Sequence, residues 1–302
     1  MSPIAAIVLG FMALATASAV HAEDRRPLSV EVKAGAKYDS NVSIEQVDVI
    51  TRHGDLALTL GASAKYRAKA SGSTELTAGY DFDQTFYADL TDYNLQMHQF
   101  SVGSSTRVGK ANLGADYRLF HIRLGGQPFL DMQLASPSVS GFVSKNTFLR
   151  ASYAYFHKAF VTANRLDANT HEVEANAYYF FMRKRGFLGM AVRYAHETTV
   201  DLSRAYDSVQ LSGMLQLPID AVAKGSKLRL GIAYRDRHYR YPAPLIGAAR
   251  REKRYSFTAS ADIPVGHGFS LKPEFRASDQ HSNDPYTDYT DGMSSLSLVY
   301  RY

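Results

Sequence analysis

From Leu28 onward, apolar residues recur at every second position in segment after segment. Leu28, Val30, Val32, Ala34, Ala36 and Tyr38 alternate with Ser29, Glu31, Lys33, Gly35 and Lys37. Strand side chains point alternately to two faces, so this spacing predicts a strand with one apolar and one polar face. Leu56, Leu58, Leu60, Ala62, Ala64 and Tyr66 repeat the pattern. The last stretch repeats it again: Leu296, Leu298, Tyr300 and Tyr302 share one face, and Ser295, Ser297, Val299 and Arg301 the other.

The alternation marks about fourteen segments: 28–38, 54–68, 73–83, 94–107, 110–121, 136–144, 146–158, 169–182, 186–196, 206–217, 226–240, 252–263, 268–279 and 292–302. Segment 136–144 has outward apolar residues only at Val139 and Val143. The connections alternate between long and short. Arg123 to Ala135 and Tyr241 to Arg251 read as long loops, Val108-Gly109-Lys110 as a tight turn, and Pro218 to Gly225 as the one ample turn on the short side. Strands of this length, with short turns on one side and long loops on the other, are the signature of an outer-membrane barrel. The predicted fold is all-β, a closed antiparallel transmembrane β-barrel of about 14 strands, with 12 or 16 the neighbouring counts.

Aromatic residues sharpen this reading. With odd strands running outward, Tyr38, Tyr80, Phe82, Tyr117, Tyr153, Tyr155, Tyr194, Tyr234 and Phe275 fall at outer strand ends. Tyr66, Tyr179, Phe181, Tyr300 and Tyr302 fall at inner ends, with Phe187 and Phe269 expected at the same level. Aromatic girdles at both interfaces are a membrane feature that a soluble β-sandwich does not need. Leu296, Leu298, Tyr300 and Tyr302 also match the terminal recognition signal read by the barrel assembly machinery.

Composition changes the picture in three places. Residues 1–22 carry no Asp, Glu, Lys or Arg, are apolar and alanine-rich, and end Val20-His21-Ala22 before Glu23. That reads as a signal peptide over residues 1–22, leaving 23–302 as the barrel and the bacterial outer membrane as its place. The chain has no cysteine, so stability must come from backbone pairing and packing. The net charge of +5 belongs to the exported part, which turns it toward anionic lipid or solute and away from nucleic acid.

On the polar faces, basic positions outnumber acidic ones about two to one. Arg229, Arg235 and Arg237, with Lys272 and Arg276 two strands away, form a candidate basic ladder in the lumen. Arg250, Arg251, Lys253 and Arg254 read as an outer-loop contact for lipopolysaccharide phosphates. The last loop holds Asp279, Asp284, Asp288 and Asp291, without the spacing of a calcium-binding hand. No catalytic set is expected: His98 and Ser101 fall on opposite faces, and no G-x-S-x-G motif is present. The ten histidines show no metal-ligand spacing, so neither metal nor cofactor is expected.

Tyr38-Asp39-Ser40-Asn41-Val42 resembles the Y-D-S-N-V signature that opens the barrel of surface lipoprotein assembly modifiers. The region from Asp81 to His98 and the run Arg123-Leu124-Gly125-Gly126-Gln127-Pro128-Phe129-Leu130 resemble the same group. The resemblance implies a fourteen-stranded outer-membrane barrel serving surface export of lipoproteins, with a periplasmic or lipoprotein partner. This chain departs from the group in lacking a helical repeat domain before the first strand. Three functions stay open: a transport or secretion conduit, a passive anion-leaning channel, and a plugged barrel binding lipopolysaccharide or a partner.

Overall fold

The computed structural model describes residues 27–44 and 49–302. The expected signal peptide lies outside the described residues. Fourteen strands close into one antiparallel barrel in sequence order. They are β1 Leu28–Asp39, β2 Asp55–Lys69, β3 Thr74–Tyr87, β4 Leu95–Val108, β5 Ala111–Leu124, β6 Gln127–Phe142 and β7 Thr147–Phe160. They continue as β8 Ala168–Phe181, β9 Gly186–Thr199, β10 Tyr206–Pro218, β11 Lys227–Ala243, β12 Ala248–Gly266, β13 Phe269–Ser282 and β14 Tyr289–Arg301. A two-residue ladder, Ser43–Ile44 with Val49–Ile50, lies in the connection between β1 and β2.

The ring is closed by β14 on β1, in a register running from Glu31↔Arg301 to Asp39↔Met293. Tyr302 finishes the seam: its N–H donates to Val30 O at 2.9 Å, and Val30 N–H donates to Tyr302 O at 3.2 Å. Outward faces are apolar across the middle of the barrel. Leu58, Val102, Met190, Ile232 and Leu296 are all more than half exposed. A soluble protein buries such a continuous surface, whereas lipid covers it here.

Two expectations need correction. Arg123 to Ala135 is not a loop. β5 and β6 continue into it and turn at Gly125-Gly126. Both glycines have positive φ, +54° and +79°, the backbone of a two-residue hairpin turn. Tyr241 to Arg251 is likewise mostly strand, because β11 and β12 are the longest pair, at 17 and 19 residues. The second correction concerns Phe187. It faces the lumen and packs with Tyr178, Phe180 and Met214, leaving Leu188 as the outward residue.

Above the outer girdle the alternation reverses. Phe120, Ile122, Leu130, Met132 and Leu134 point inward and are buried, while His121, Asp131 and Gln133 point outward. In the membrane zone apolar groups must face lipid; above it they leave water by facing in.

Candidate functional site in the lumen

The outer mouth is partly filled from above. The chain leaves β1, turns inward and places Val42 and Ile44 inside the barrel, 1% and 3% exposed. Val42 packs with Ala57 and Tyr87. Ile44 joins the apolar cluster of Leu95, Met97, Phe120, Ile122 and Leu130, and Leu166 from the connection between β7 and β8 joins it too. These contacts are non-directional burial of apolar area, worth roughly 1.5–3 kcal/mol for each fully buried side chain.

The turn inward is made by Asp39-Ser40-Asn41. The Asp39 carboxylate, fully buried, accepts from the Tyr87 hydroxyl at 3.1 Å and from Asn41 N–H at 3.3 Å. Lys37 Nζ donates to the Tyr87 hydroxyl at 2.8 Å. Ser40 and Gly292 bond reciprocally, Ser40 N–H to Gly292 O and Gly292 N–H to Ser40 Oγ, each at 2.8 Å. Asn41 Nδ2 donates to Thr290 O at 3.1 Å, and its Oδ1 accepts from Arg52 N–H at 2.9 Å. The motif read in the sequence as a strand exit therefore ties the inward loop to the closing strand.

The wall from β8 to β12 is ionic. Arg193 Nε lies 3.1 Å from Glu172 and its guanidinium also grips Glu174. Glu197 receives Lys158 at 2.6 Å, Thr170 at 2.7 Å and Tyr206 at 3.1 Å. Glu252 sits between Arg237, 3.4 Å away, and Arg250, 3.1 Å away. Arg237 and Arg250 also lie over the rings of Tyr206 and Tyr239, 4.2 and 3.9 Å from the centroids.

Among the described residues the lumen holds an outer and an inner polar cavity. The outer one, about 150 Å³, is lined by Glu172, Arg193, Glu197, Arg235 and Arg237 among others. The inner one, about 180 Å³, is lined by Lys65, Asp116, Arg150 and Tyr178 among others. Glu174 and Asn176, joined at 2.7 Å, stand on β8 between them. On β8 these two inward positions lie between Glu172, which lines the outer space, and Tyr178, which lines the inner one.

The predicted ladder is present on the inner face but spread over its height. Arg229 donates to Gln216 Oε1 at 2.9 Å and Arg235 to Gln280 Oε1 at 3.3 Å. Lys272 is 3.7 Å from Glu31, and Arg276 is 2.8 Å from Glu274. The inner face also carries Asp39, Asp83, Glu197, Glu252 and Asp291, against Lys158, Arg250 and Arg254, so the basic excess is smaller than the sequence suggested. Asp39, Glu197, Arg250 and Asp291 lay just beyond the predicted strand ends, whereas Asp83, Lys158, Glu252 and Arg254 lay within them but were not assigned to the inner face.

The four basic residues expected in an outer loop belong to β12. Arg250 and Arg254 are 7% and 8% exposed and face the lumen; Arg251 and Lys253 alone face outward. The acidic residues of the last connection are also dispersed: Asp284 and Asp291 are buried, while Asp279 faces outward beside His281 at 3.2 Å. Leu296, Leu298 and Tyr300 lie on the outward face of β14, with exposed Tyr302 just beyond it; the Tyr300 ring is tilted against Phe269, centroids 4.9 Å apart. On the inner rim, the Arg185 guanidinium and then Gly225 N–H hold the Asp220 carboxyl below its usual range, joining two turns.

No protein-family model and no curated protein matches the chain. Solved structures do. The anion-selective porin from Comamonas acidovorans aligns at a TM-score of 0.54 and 9% identity, over 91% of this chain and 98% of that one. Outer-membrane expressed OmpT of Vibrio cholerae aligns at 0.54 and 10% identity, over 91% and 97%. OccAB3 of Acinetobacter baumannii aligns at 0.50 and 10% identity, over 91% and 99%. The chain is an outer-membrane β-barrel. At these identities the likeness carries the fold, and the barrel's own lumen has to carry the function.

Proposed function

We propose that this barrel is a solute conduit of the outer membrane, leaning toward anions, with its outer mouth narrowed by the connection between β1 and β2. The supporting observation is the pair of polar cavities in the lumen, with only Glu174 and Asn176 on β8 between the residues of that strand that line each. Basic side chains on both cavities favour anions along the path. A blocked barrel that binds a partner is the second reading, supported by the dense pairing of the ionic wall.

Planar-bilayer recording of the purified barrel separates them. The expected result is a small, steady, anion-preferring conductance that rises severalfold when residues 43–50 are replaced by a short Gly-Ser link. Silence in both forms refutes the conduit; equal conductance in both refutes the narrowing loop. Reversing Arg229 and Arg235 to Glu lowers anion preference. A finer role in surface lipoprotein export has the Tyr38–Val42 resemblance as its support. It predicts that a deletion strain keeps the total amount of a lipoprotein while losing its surface display.

A further inference from the structure

The outward face above the girdle gathers histidines that lie far apart in sequence. His98 on β4 is directly opposite His121 on β5, with ring centroids 6.4 Å apart. His171 on β8 is directly opposite His196 on β9. In each ring Nδ1 already has a partner. Tyr80 Oη lies 2.8 Å from His98 Nδ1, and Asp131 Oδ1 lies 2.7 Å from His121 Nδ1. Tyr153 Oη lies 2.6 Å from His171 Nδ1, and Asp207 Oδ1 lies 2.7 Å from His196 Nδ1.

We propose that His98 and His121 form a binding site for a divalent transition metal of the zinc, nickel or copper type. When Nδ1–H is donated to the Tyr80 hydroxyl and to the Asp131 carboxylate, both Nε2 lone pairs are left for an ion. A carboxylate or hydroxyl behind an imidazole is the arrangement that orients and strengthens a histidine ligand. Directly opposed strand residues have Cβ atoms about 4.5–5.5 Å apart, close enough for two rings to share one ion. With metal–nitrogen bonds of about 2.0–2.1 Å, shared coordination brings the centroids to roughly 5 Å, a small ring rotation from the observed 6.4 Å. The Asp131 carboxylate adds negative charge beside the site, and imidazole selects this class of metal over magnesium or calcium. No group of three or more metal-ligating side chains is assembled among the described residues, so water fills the remaining positions.

Arg240 Nη1 lies 3.3 Å from His196 Nε2. The guanidinium takes that ligand position and its charge opposes a cation. His171 and His196 therefore serve as a closed counterpart of the open site.

Untagged, folded barrel is titrated with Zn²⁺ alone by calorimetry, with Mg²⁺ as the control, and with Cu²⁺ alone by electron paramagnetic resonance. One equivalent should bind Zn²⁺, and Cu²⁺ should show coordination by two nitrogens. His98→Gln and His121→Gln should each weaken binding by more than about tenfold, and Asp131→Asn by about tenfold. His171→Gln should leave it unchanged. Arg240→Ala should add a second equivalent that disappears in combination with His171→Gln. Heat-modifiable migration reports the fold of each variant, and the exposed His121→Gln decides alone if His98→Gln does not fold. Undiminished binding in the His98→Gln/His121→Gln double variant, or no binding beyond that of Mg²⁺, overturns the site.

Discussion

At the same height in the lumen, the inner faces of β4–β7 and of β8–β12 are built from opposite materials. On the first, Phe120, Ile122, Leu130 and Met132 are packed with Ile44 of the inward loop. On the second, Arg193 pairs with Glu172 and Glu174, Glu197 with Lys158, and Arg237 and Arg250 with Glu252. The apolar wall holds its neighbours by buried area, which tolerates sliding and exchange of similar shapes. The ionic wall holds by geometry, and each of its charges depends on a partner. The loop rests on the tolerant wall, and the polar cavity opens beside the exacting one.

The largest expected effect is on the ionic side. Glu252→Ala leaves Arg237 and Arg250 without their shared carboxylate, and costs about 3–5 kcal/mol of barrel stability, read from urea unfolding in lipid vesicles. Ile122→Ala, at a position 1% exposed, removes packing under the loop and costs about 2–4 kcal/mol, with a rise in conductance. A loss seen with Glu252→Ala but absent from the isosteric Glu252→Gln would show that volume, not charge, governs both walls alike. Asn41→Ala removes the bonds to Thr290 O and from Arg52 N–H, costs about 1–2 kcal/mol, and loosens the loop without touching either wall. Leu130→Met conserves volume on the apolar wall and costs less than about 1.5 kcal/mol, a tolerance without parallel across the lumen.

The smallest effect lies outside both walls. The Asp220 carboxyl is held below its ordinary value by Arg185. Its contribution is present above the ordinary carboxylate range and is lost as pH falls through the lowered value. Acid should therefore loosen the two inner turns first, seen as faster amide exchange at Gly225, and Asp220→Asn should abolish that pH dependence.

The membrane zone was legible in the sequence because lipid imposes one rule on every strand there. Leu56 to Tyr66 or Leu296 to Tyr302 need no partner to be read. Above the girdle the rule inverts, and a reader expecting apolar-out alternation stops at His121. The inverted run Leu130, Asp131, Met132, Gln133, Leu134 then looks like a loop. Gly125-Gly126 carried the signal that would have corrected this, since paired glycines between strands mark a two-residue hairpin. The imidazole pairs were invisible for a different reason. His98 and His121 become neighbours only through the register of β4 on β5, which the tight turn after Val108 sets.

The seam has a kinetic meaning as well as a structural one. Glu31 and Arg301 face each other across almost the whole chain, so the final pairing has the highest sequence separation the molecule contains. Contacts of that kind come late, because the entropy of closing the intervening chain is lost before they reward it. Until β14 meets β1, the other strands form a curved sheet with two open edges, each able to pair with any other strand. Ser40 and Gly292, which fasten the loop to the closing strand, cannot meet before that moment. The loop therefore docks on the closing strand in the same event that abolishes the sheet's edges.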